Sequence, residues 1–385
     1  MRRHTYIFGA LCATAALTLC ACGTGDHTNT ADSSSYTDVQ NILRRLTTAD
    51  GAPGALLEVR DARGRTVLKS GVADVRTRAP IADDSRFRIG SMTKMFVATV
   101  VLQLVGEQRV ALDAPVEQYL PGIVGGNGND GHDITVRQLL QHTSGLPDYL
   151  DYLSVEQVLK APLEHHDRLE LVRLALAHPP SFPPGTSYAY SNTDYLVAGL
   201  LIEKLTGLPY AEAIGQRVIA PLGLRDTSVP GDGTSIPGDH PRGYLAQGNS
   251  GLVDLSEVNP SVAGSAGGMI SSAADLNEFL AALVNGDLLR PAELQEMMST
   301  RPTGNSYHDA YGLGLQSTPL PCGGLYWGHD GGFPGFQTMG VITTDGRGAT
   351  VMANLYPGES DAQDADVRTA LASALCASSP AKPKL

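Results

Sequence analysis

The sequence predicts an α/β protein in which strands from both chain ends form one sheet and helices occupy the middle of the chain. Strand patterns cover residues 54–75, with a turn at 61–64, and recur at 337–343 and 349–355. Between them, helical segments alternate with Pro- and Gly-rich breaks from about residue 113 to 261. Strands at both ends with helices between them indicate a mixed sheet assembled from the two termini.

Helices are predicted along the whole chain. Residues 91–105 and 195–202 carry long apolar runs, which indicates buried helices, and Gly207 marks the end of the second one. Further helices are predicted at residues 36–48, 168–177, 275–284, 291–299 and 362–375.

The first 35 residues predict export. Arg2 and Arg3 precede an apolar run at 6–21, which is the pattern of a signal peptide. The run Leu-Cys-Ala-Cys-Gly at 19–23 resembles a bacterial lipobox, with cleavage before Cys22 and lipid attached to it. A plain secretory signal cleaved a few residues later is the alternative. We expect a signal peptide at 1–21, a flexible tether at 22–35, and a protein that is lipid-anchored on the outer face of the cell membrane or secreted.

Length and charge restrict the partners of the chain. Its 385 residues, 42% of them hydrophobic, suffice for one large body or two packed lobes. The formal charge is −12, and loss of Arg2 and Arg3 would leave −14. An acidic chain of this kind has no nucleic-acid footprint. No segment beyond the leader is apolar enough to span a bilayer, so we expect membrane contact only through lipid.

Ser91 and Lys94 are the first candidate catalytic pair. Three residues apart at the start of an apolar helix, they share one face at roughly 5–6 Å between Cβ atoms. A half-buried ammonium loses solvation, so its pKa should fall and let it activate the serine without a histidine. The same spacing at Ser379 and Lys382 lies in a Pro-rich tail, and most such matches are ordinary surface pairs, so the pattern needs context.

Tyr190 and Asn192 supply that context. They lie between the breaker run at 179–185 and the apolar helix at 195–202, in a rigidly framed loop. A tyrosine there can act as general base if a nearby lysine lowers its pKa, and the asparagine can orient the lysine or hold a substrate carbonyl. The alternative is a core aromatic residue and a helix N-cap.

His329, Gly331 and Gly332 form the third element, in the run Trp-Gly-His-Asp-Gly-Gly-Phe-Pro-Gly-Phe at 327–336. Its glycines would let a substrate backbone approach an exposed edge strand. The backbone N–H groups of Gly332 and Ser91 could form an oxyanion hole. The alternative is a Gly-rich hairpin with one satisfied histidine.

These elements, in this order, resemble the penicillin-recognising serine hydrolases, which include secreted D-alanyl-D-alanine carboxypeptidases, class C β-lactamases and esterases. The likeness extends over residues 39–376 and includes the stretches at 86–90, 134–146, 184–185, 265–268 and 311–315. It implies that Ser91 is the acylated nucleophile and Lys94 its proton partner. Tyr190 would be the general base, Asn192 would hold the acyl-side amide, and His329 would tune Tyr190 electrostatically.

The resemblance also implies the architecture. The expected fold is β-lactamase-like, with an antiparallel sheet flanked by helices and a mostly helical inserted lobe. Residues 36–110 and 265–385 would form the α/β lobe and residues 111–264 the helical lobe of one hydrolase domain at 36–385. Because Cys12 and Cys20 would leave with the signal and Cys22 would carry lipid, Cys322 and Cys376 remain as a pair. In an exported chain we expect them to form a disulfide, as in the secreted carboxypeptidases.

The third element departs from the carboxypeptidase pattern. Asp330 and Gly332 occupy positions where those enzymes have hydroxyl residues, and Gln316 replaces an arginine that helps to grip the terminal carboxylate. A free carboxylate beside Asp330 would meet repulsion instead of a charge-assisted bond worth about 1.5–3 kcal/mol. An ester, amide or amidated peptide end suits this site better.

The sequence therefore predicts an exported serine hydrolase that forms an acyl-enzyme on peptide, amide, ester or β-lactam carbonyls, with D-alanyl-D-alanine carboxypeptidases as the most similar type. Esterase and β-lactamase activities are alternatives, as is a catalytically silent lipoprotein that binds the cell wall. We expect a monomer without cofactor whose partner is a small molecule or peptide, such as a peptidoglycan stem peptide. Glu164 to Asp167 could suggest a metal, but they precede a helix start, where solvated charges are usual.

Overall fold

Eight strands from distant parts of the chain form one sheet. The computed structural model describes residues 36–248, 251–358 and 361–377. The strands within those ranges are β1 (Gly54–Asp61), β2 (Gly64–Gly71), β3 (Arg86–Arg88), β4 (Gly125–Gly126), β5 (Asn129–Asp130), β6 (Tyr244–Ala246), β7 (Leu252–Asp254), β8 (Ile270–Ser272), β9 (Arg301–Pro302), β10 (Ala310–Tyr311), β11 (Gln316–Pro319), β12 (Leu325–Phe333), β13 (Phe336–Thr343) and β14 (Gly348–Ala353). The sheet order is β2-β1-β14-β13-β12-β11-β10-β9.

Every neighbouring pair in this sheet is antiparallel. The prediction that both chain ends contribute strands is confirmed, since β1 pairs directly with β14. The expectation of a mixed sheet is wrong. Short connections join β1 to β2, β12 to β13 and β13 to β14, and a parallel pair would need a crossover of a dozen or more residues.

Helices cover both faces of the sheet. In the described residues they are α1 (Thr37–Thr48), α2 (Thr93–Gly106), α3 (Val136–Leu140), α4 (Val155–Lys160), α5 (Arg168–Leu176), α6 (Asn192–Thr206), α7 (Tyr210–Ile214), α8 (Ala220–Leu222), α9 (Gly264–Gly267), α10 (Ala273–Asn285), α11 (Pro291–Met297) and α12 (Ala362–Ala377). Helices α1 and α12 pack together on one face, and α10 packs on β13 and β14 from the other. The antiparallel sheet with helices on both faces agrees with the architecture that the resemblance implied.

Strands β13 and β14 are buried along their whole length because both faces of the sheet are covered. Leu43 and Leu371 pack on Val351 in the core between the sheet and helices α1 and α12. On the opposite side, Phe279 of α10 stacks on Phe96 of α2 with ring centroids 3.9 Å apart. The two cores hold the sheet and the helix after Ser91 in fixed relative positions.

Helix α2 lies in the centre of the molecule, where eleven of its fourteen residues are buried. A 3₁₀ turn at Gly90–Met92 leads into it, so Ser91 lies one turn before the α-helix proper. Helix α6 ends at Gly207, whose left-handed φ of 75° closes the helix as predicted. Asp167 caps α5 by accepting from the Glu170 N–H.

Three further predictions concern the helical stretch in the middle of the chain, the cysteine pair and the N-terminal segment. The stretch at 113–261, predicted as helical segments between Pro- and Gly-rich breaks, also contains the two short ladders β4–β5 and β6–β7. Cys322 and Cys376 are joined by a disulfide, with Cα atoms 5.8 Å apart, which ties the connection before β12 to α12. The proposed signal peptide, tether and Cys22 lie outside the described residues. Within the described ranges, none of the helices combines the length and apolar character needed to cross a membrane.

Candidate active site

Ser91 and Lys94 meet at the head of α2, as their spacing predicts. Lys94 Nζ lies 3.0 Å from Ser91 Oγ, and the lysine is fully buried while Ser91 is half-exposed to a cavity. The ammonium also donates to Asn192 Oδ1 at 2.8 Å and to the Ala266 carbonyl at 2.7 Å. All three donors of the protonated amine therefore have acceptors.

Burial lowers the pKa of Lys94 from 10.5 to about 7, although Asp148, Asp330 and Asp194 act in the opposite direction. Near neutral pH a large fraction of the lysine is a free amine with two donors and one lone pair. The Asn192 and Ala266 oxygens can only accept, so they take the two donors. The lone pair is then directed at Ser91, whose hydroxyl can donate to it.

Tyr190 lies on the other side of this pair. Its ring centroid is 4.7 Å from Lys94 Nζ. Its hydroxyl makes no hydrogen bond of good geometry in the described residues, although an interaction with the Ser91 side chain acts to lower its pKa. Burial and the charge of Asp330 raise the pKa of Tyr190 well above 10. We expected the lysine to lower it, but the phenol is out of water and close to a carboxylate. The geometry therefore presents a neutral phenol, able to give a proton.

Asn192 connects Lys94 to a carboxylate that the sequence reading missed. Its Nδ2 donates to Asp148 Oδ2 at 2.8 Å while its Oδ1 accepts from Lys94. A carboxylate can only accept, so Asp148 fixes which end of the Asn192 amide faces the lysine. Two roles were considered for Asn192, orienting the lysine and holding a substrate carbonyl. Its contacts with Lys94 and Asp148 correspond to the first role. The sequence offered one clue to this contact, because Asp148 is an acidic residue two positions after the stretch at 134–146 that carries the family resemblance.

His329 lies behind Tyr190 and away from the cavity wall. It is fully buried, its Nε2 lies 2.9 Å from the Tyr311 hydroxyl, and its Nδ1 donates to the Asp330 carbonyl at 2.6 Å. Burial lowers the pKa of His329 to about 4, so the ring is neutral at physiological pH. A neutral ring 6.2 Å from the Tyr190 ring supplies no positive charge to tune it. Its contacts instead hold Tyr311 and the backbone of β12.

A second buried histidine supports the same wall. His142 has a left-handed φ of 56°, bonds Asp194 through Nδ1 at 2.9 Å, and places its ring 4.3 Å from that of Tyr190. The other Asp194 oxygen accepts from Ser144 at 2.5 Å. His142 belongs to the stretch that carried the family resemblance, but nothing in its spacing showed that it would contact Tyr190.

Gly331 and Gly332 let β12 approach the nucleophile. A Cβ on Gly331 would lie 2.1 Å from the Ile89 carbonyl, and one on Gly332 would lie 2.4 Å from the Tyr356 ring. Likewise, a Cβ on Gly90 would lie 2.6 Å from the Gly332 carbonyl oxygen. These contacts allow no side chain. The backbone of Gly332 is thereby held against Gly90, the residue before Ser91. An oxyanion hole formed by the N–H groups of Gly332 and Ser91 requires this close approach.

The cavity above Ser91 has a volume of about 630 Å³ and two chemically different ends. The residues of its apolar end come from the helical part of the chain and the tip of β12. They are Leu153, Val158, Leu159, Leu245, Val262 and Phe333. The residues of its polar end come from the β9 to β12 region and α12. They are Thr303, Asn305, Asp309, Gln316, Asp330 and Arg368.

Asp330 lies at this polar end, next to Gln316, whose Nε2 donates to it at 2.9 Å. The Arg368 guanidinium is bound to Asp309 and Asp364 instead. Burial alone would raise the pKa of Asp330, but the Arg368 charge and the hydrogen bond from Gln316 lower it overall, so the carboxylate stays ionised. The two departures noted in the sequence, Asp330 and Gln316, thus lie side by side on the cavity wall.

Comparison with known proteins decides the family. The model of the family described as Beta-lactamase matches residues 39–374. The chain belongs to this family. A penicillin-binding protein of Bacillus subtilis is 28% identical over 289 residues, which cover 72% of this chain and 62% of that protein. This chain thus spans less than two thirds of that relative.

Two solved structures match over nearly their whole length. A D-stereospecific amidohydrolase from a Streptomyces species is 40% identical with a TM-score of 0.80, covering 86% of this chain and 97% of the other. A D-amino acid amidase from Ochrobactrum anthropi, complexed with L-phenylalanine amide, is 29% identical with a TM-score of 0.77, covering 89% and 98%. The matches place this hydrolase fold among penicillin-binding proteins and amidases.

Proposed function

We propose that the protein is an exported serine amidase that hydrolyses amides lacking a free carboxylate at the leaving end. One observation carries the proposal: Ser91 Oγ faces a cavity and lies 3.0 Å from a buried lysine with a pKa of about 7. A hydroxyl next to an amine in this ionisation range is the arrangement that nucleophilic catalysis needs.

Acylation follows from these contacts. Ser91 Oγ bonds to the amide carbonyl carbon as its proton moves to Lys94, and the N–H groups of Ser91 and Gly332 stabilise the oxyanion. The C–N bond then breaks as the nitrogen takes a proton from the Tyr190 hydroxyl, and the proton held by Lys94 restores the phenol. The amine leaves, and Ser91 carries an ester.

Deacylation uses the same groups in reverse. Water attacks the ester carbonyl and gives its proton to Lys94, the C–O bond to Ser91 breaks, and the serine oxygen regains a proton. Over the full cycle the proton that leaves with the amine is replaced by one from water, so Ser91, Lys94 and Tyr190 return to their starting protonation states.

The polar end of the cavity favours amides over free peptide acids. Asp330 is ionised, and Gln316 gives it a neutral partner in place of a guanidinium. A terminal carboxylate placed there would be repelled. The two solved structures described above are a D-stereospecific amidohydrolase and a D-amino acid amidase. We therefore favour D-amino acid amides over D-alanyl-D-alanine peptides. Ester and β-lactam carbonyls remain chemically competent acyl donors for the same serine.

The test combines labelling and turnover. Intact mass after incubation with a fluorophosphonate should show one adduct, absent in Ser91→Ala. D-Phenylalanine amide should release ammonia faster than an N-acyl-D-alanyl-D-alanine acid releases D-alanine, by about tenfold or more. The Ser91→Ala variant with unchanged thermal stability is the control. Absence of any adduct would favour the silent binder, and faster turnover of the acid would favour the carboxypeptidase.

A further inference from the structure

The polar end of the cavity continues into a second cavity of about 380 Å³, and Asp330 and Gly332 line both. The Asp330 side chain is 43% exposed. Among residues 36–248, 251–358 and 361–377, no lysine or arginine lies within ion-pair distance of Asp330, although other acidic residues have such partners. The carboxylate is therefore available to a ligand at the junction of the two cavities.

Two amide oxygens of residues that line these cavities lack partners in the described part of the chain. Gln363 is only 2% exposed, and its Nε2 is committed to Gln337 Oε1 at 2.6 Å and the Leu355 carbonyl at 2.8 Å. Its Oε1 has no hydrogen-bond partner in the described part of the chain, although the residue lines the second cavity. The Oε1 of Gln316, which lines the first cavity, is likewise unpartnered. A buried acceptor without a donor is unfavourable and indicates a ligand that supplies donors.

Most of the charged side chains along the walls of the two cavities are acidic. Asp309, Asp330, Asp361 and Asp364 line the two cavities, and Arg368 is the cationic residue in the walls that the structure describes. Arg368 is already bonded to Asp309 and Asp364. Four carboxylates and one arginine in the described walls make the two cavities acidic, which favours a cationic ligand.

We infer that this acceptor-lined junction binds a positively charged ammonium carried by the departing amine of the substrate. The assigned ligand class is thus an amide whose leaving group holds a second amine, such as a diamine. The inference rests on the proposed amidase function and adds the chemistry of the leaving side.

Two features indicate which end of the cavity receives the departing amine: the position of the Tyr190 hydroxyl, and the difference between the polar and apolar ends. The free hydroxyl of Tyr190 faces the reacting centre, and Asp330 is the charge that acts most strongly on it. The group that receives the tyrosine proton therefore departs next to Asp330. The opposite end, with Val158, Leu159 and Phe333, is apolar and suits the side chain of the acyl group.

The experiment uses amides with one common acyl group, D-phenylalanyl, and three leaving amines of similar size. These are 1,2-diaminoethane, which is cationic, 2-aminoethanol, which is neutral, and glycine, which is anionic. We expect kcat/KM for the diamine amide to exceed that of the ethanolamine amide by about tenfold, and that of the glycine amide to be lower still. Asp330→Asn keeps the acceptor for Gln316 and should reduce the first ratio to about one. Asp345→Asn, in the turn before β14, is the matched control.

Each outcome decides the inference. A diamine preference in the wild type that Asp330→Asn removes supports it, and the wild-type ratio alone still tests it if that variant does not fold. Equal turnover of all three amides overturns the cation site and leaves the amidase proposal intact. No cleavage of any amide overturns both. A second series with N-acetylated acyl groups locates the charge: if Asp330→Asn affects only substrates with a free acyl-side amine, the leaving-side assignment is wrong.

Discussion

Asp148 should control the pH dependence of the enzyme, although it contacts neither Ser91 nor Lys94 directly. Its Oδ2 accepts from Asn192 Nδ2 at 2.8 Å, and Asn192 Oδ1 accepts from Lys94 Nζ at 2.8 Å. Asp148 is also the largest of the charges that raise the pKa of Lys94 against burial. Replacing Asp148 by Asn removes that charge with little change in shape.

The magnitude follows from the geometry. Two hydrogen bonds and one amide group separate the carboxylate from the amine, so the charges lie roughly 7 Å apart and interact by about 2 kcal/mol at an effective dielectric of about 20. That energy corresponds to a shift of about one to one and a half pKa units. Lys94, whose pKa is about 7 in the wild type, should therefore have a lower pKa in Asp148→Asn.

The sign is fixed by the role of the lysine. The free amine accepts the Ser91 proton, so kcat/KM rises with pH through the pKa of Lys94. A lower pKa moves the acid limb of the profile toward lower pH. The assay is kcat/KM for one amide from pH 5 to 9 in Asp148→Asn and in Asp151→Asn, an exposed neighbour in the same turn. An acid limb that stays in place in Asp148→Asn, whatever happens to the rate, would refute this reasoning.

Three further changes test separate parts of the structure. Gly332→Ala would place a Cβ 2.4 Å from the Tyr356 ring and should lower kcat/KM about a hundredfold. In the control Gly215→Ala the new Cβ meets nothing within 4 Å, so kcat/KM should be unchanged in the same assay. Tyr190→Phe removes a hydroxyl that has no partner in the described residues, so the melting temperature should hold while acylation, followed by mass spectrometry, slows about a hundredfold or more; normal acylation would remove the phenol from the mechanism. Replacing Cys322 and Cys376 by Ser opens a crosslink between positions 54 residues apart and should lower the free energy of unfolding by about 2–4 kcal/mol in urea titrations.

The sequence predicted the elements of this site better than their interactions. Local patterns sufficed for the helix after Ser91, the loop before α6 and the strands at both ends, because apolar periodicity and breaker residues act over a few positions. The expectation that Ser91, Lys94 and Tyr190 lie in one cleft came from the family resemblance and not from these local patterns.

Partners that depend on tertiary contact could not be read in the same way. The Ala266 carbonyl that binds Lys94 is 172 positions away, and a backbone oxygen leaves no signature in a sequence. His329 was expected to tune Tyr190, but its tautomer and charge depend on Tyr311 and on complete burial, which only the fold determines. The predicted direction of the Tyr190 pKa shift was wrong for the same reason, because burial raises this pKa and a sequence does not show burial.

The buried lysine that makes catalysis possible should also make stability depend on pH. In the unfolded chain Lys94 has its ordinary pKa of 10.5, and in the folded protein about 7. Between these values the unfolded state binds more protons, so the free energy of unfolding rises with pH by up to about 1.4 kcal/mol per unit from this group alone. Below pH 7 both states are protonated and the contribution is constant. Lys94→Met lacks this group, so the difference in stability between wild type and variant should shift in favour of the wild type by about 2–3 kcal/mol from pH 7 to 9. Urea titrations of both proteins at pH 7, 8 and 9 measure it. Parallel pH dependences would show that the lysine is not held as a free amine, and the proton acceptor for Ser91 would then have to be another group.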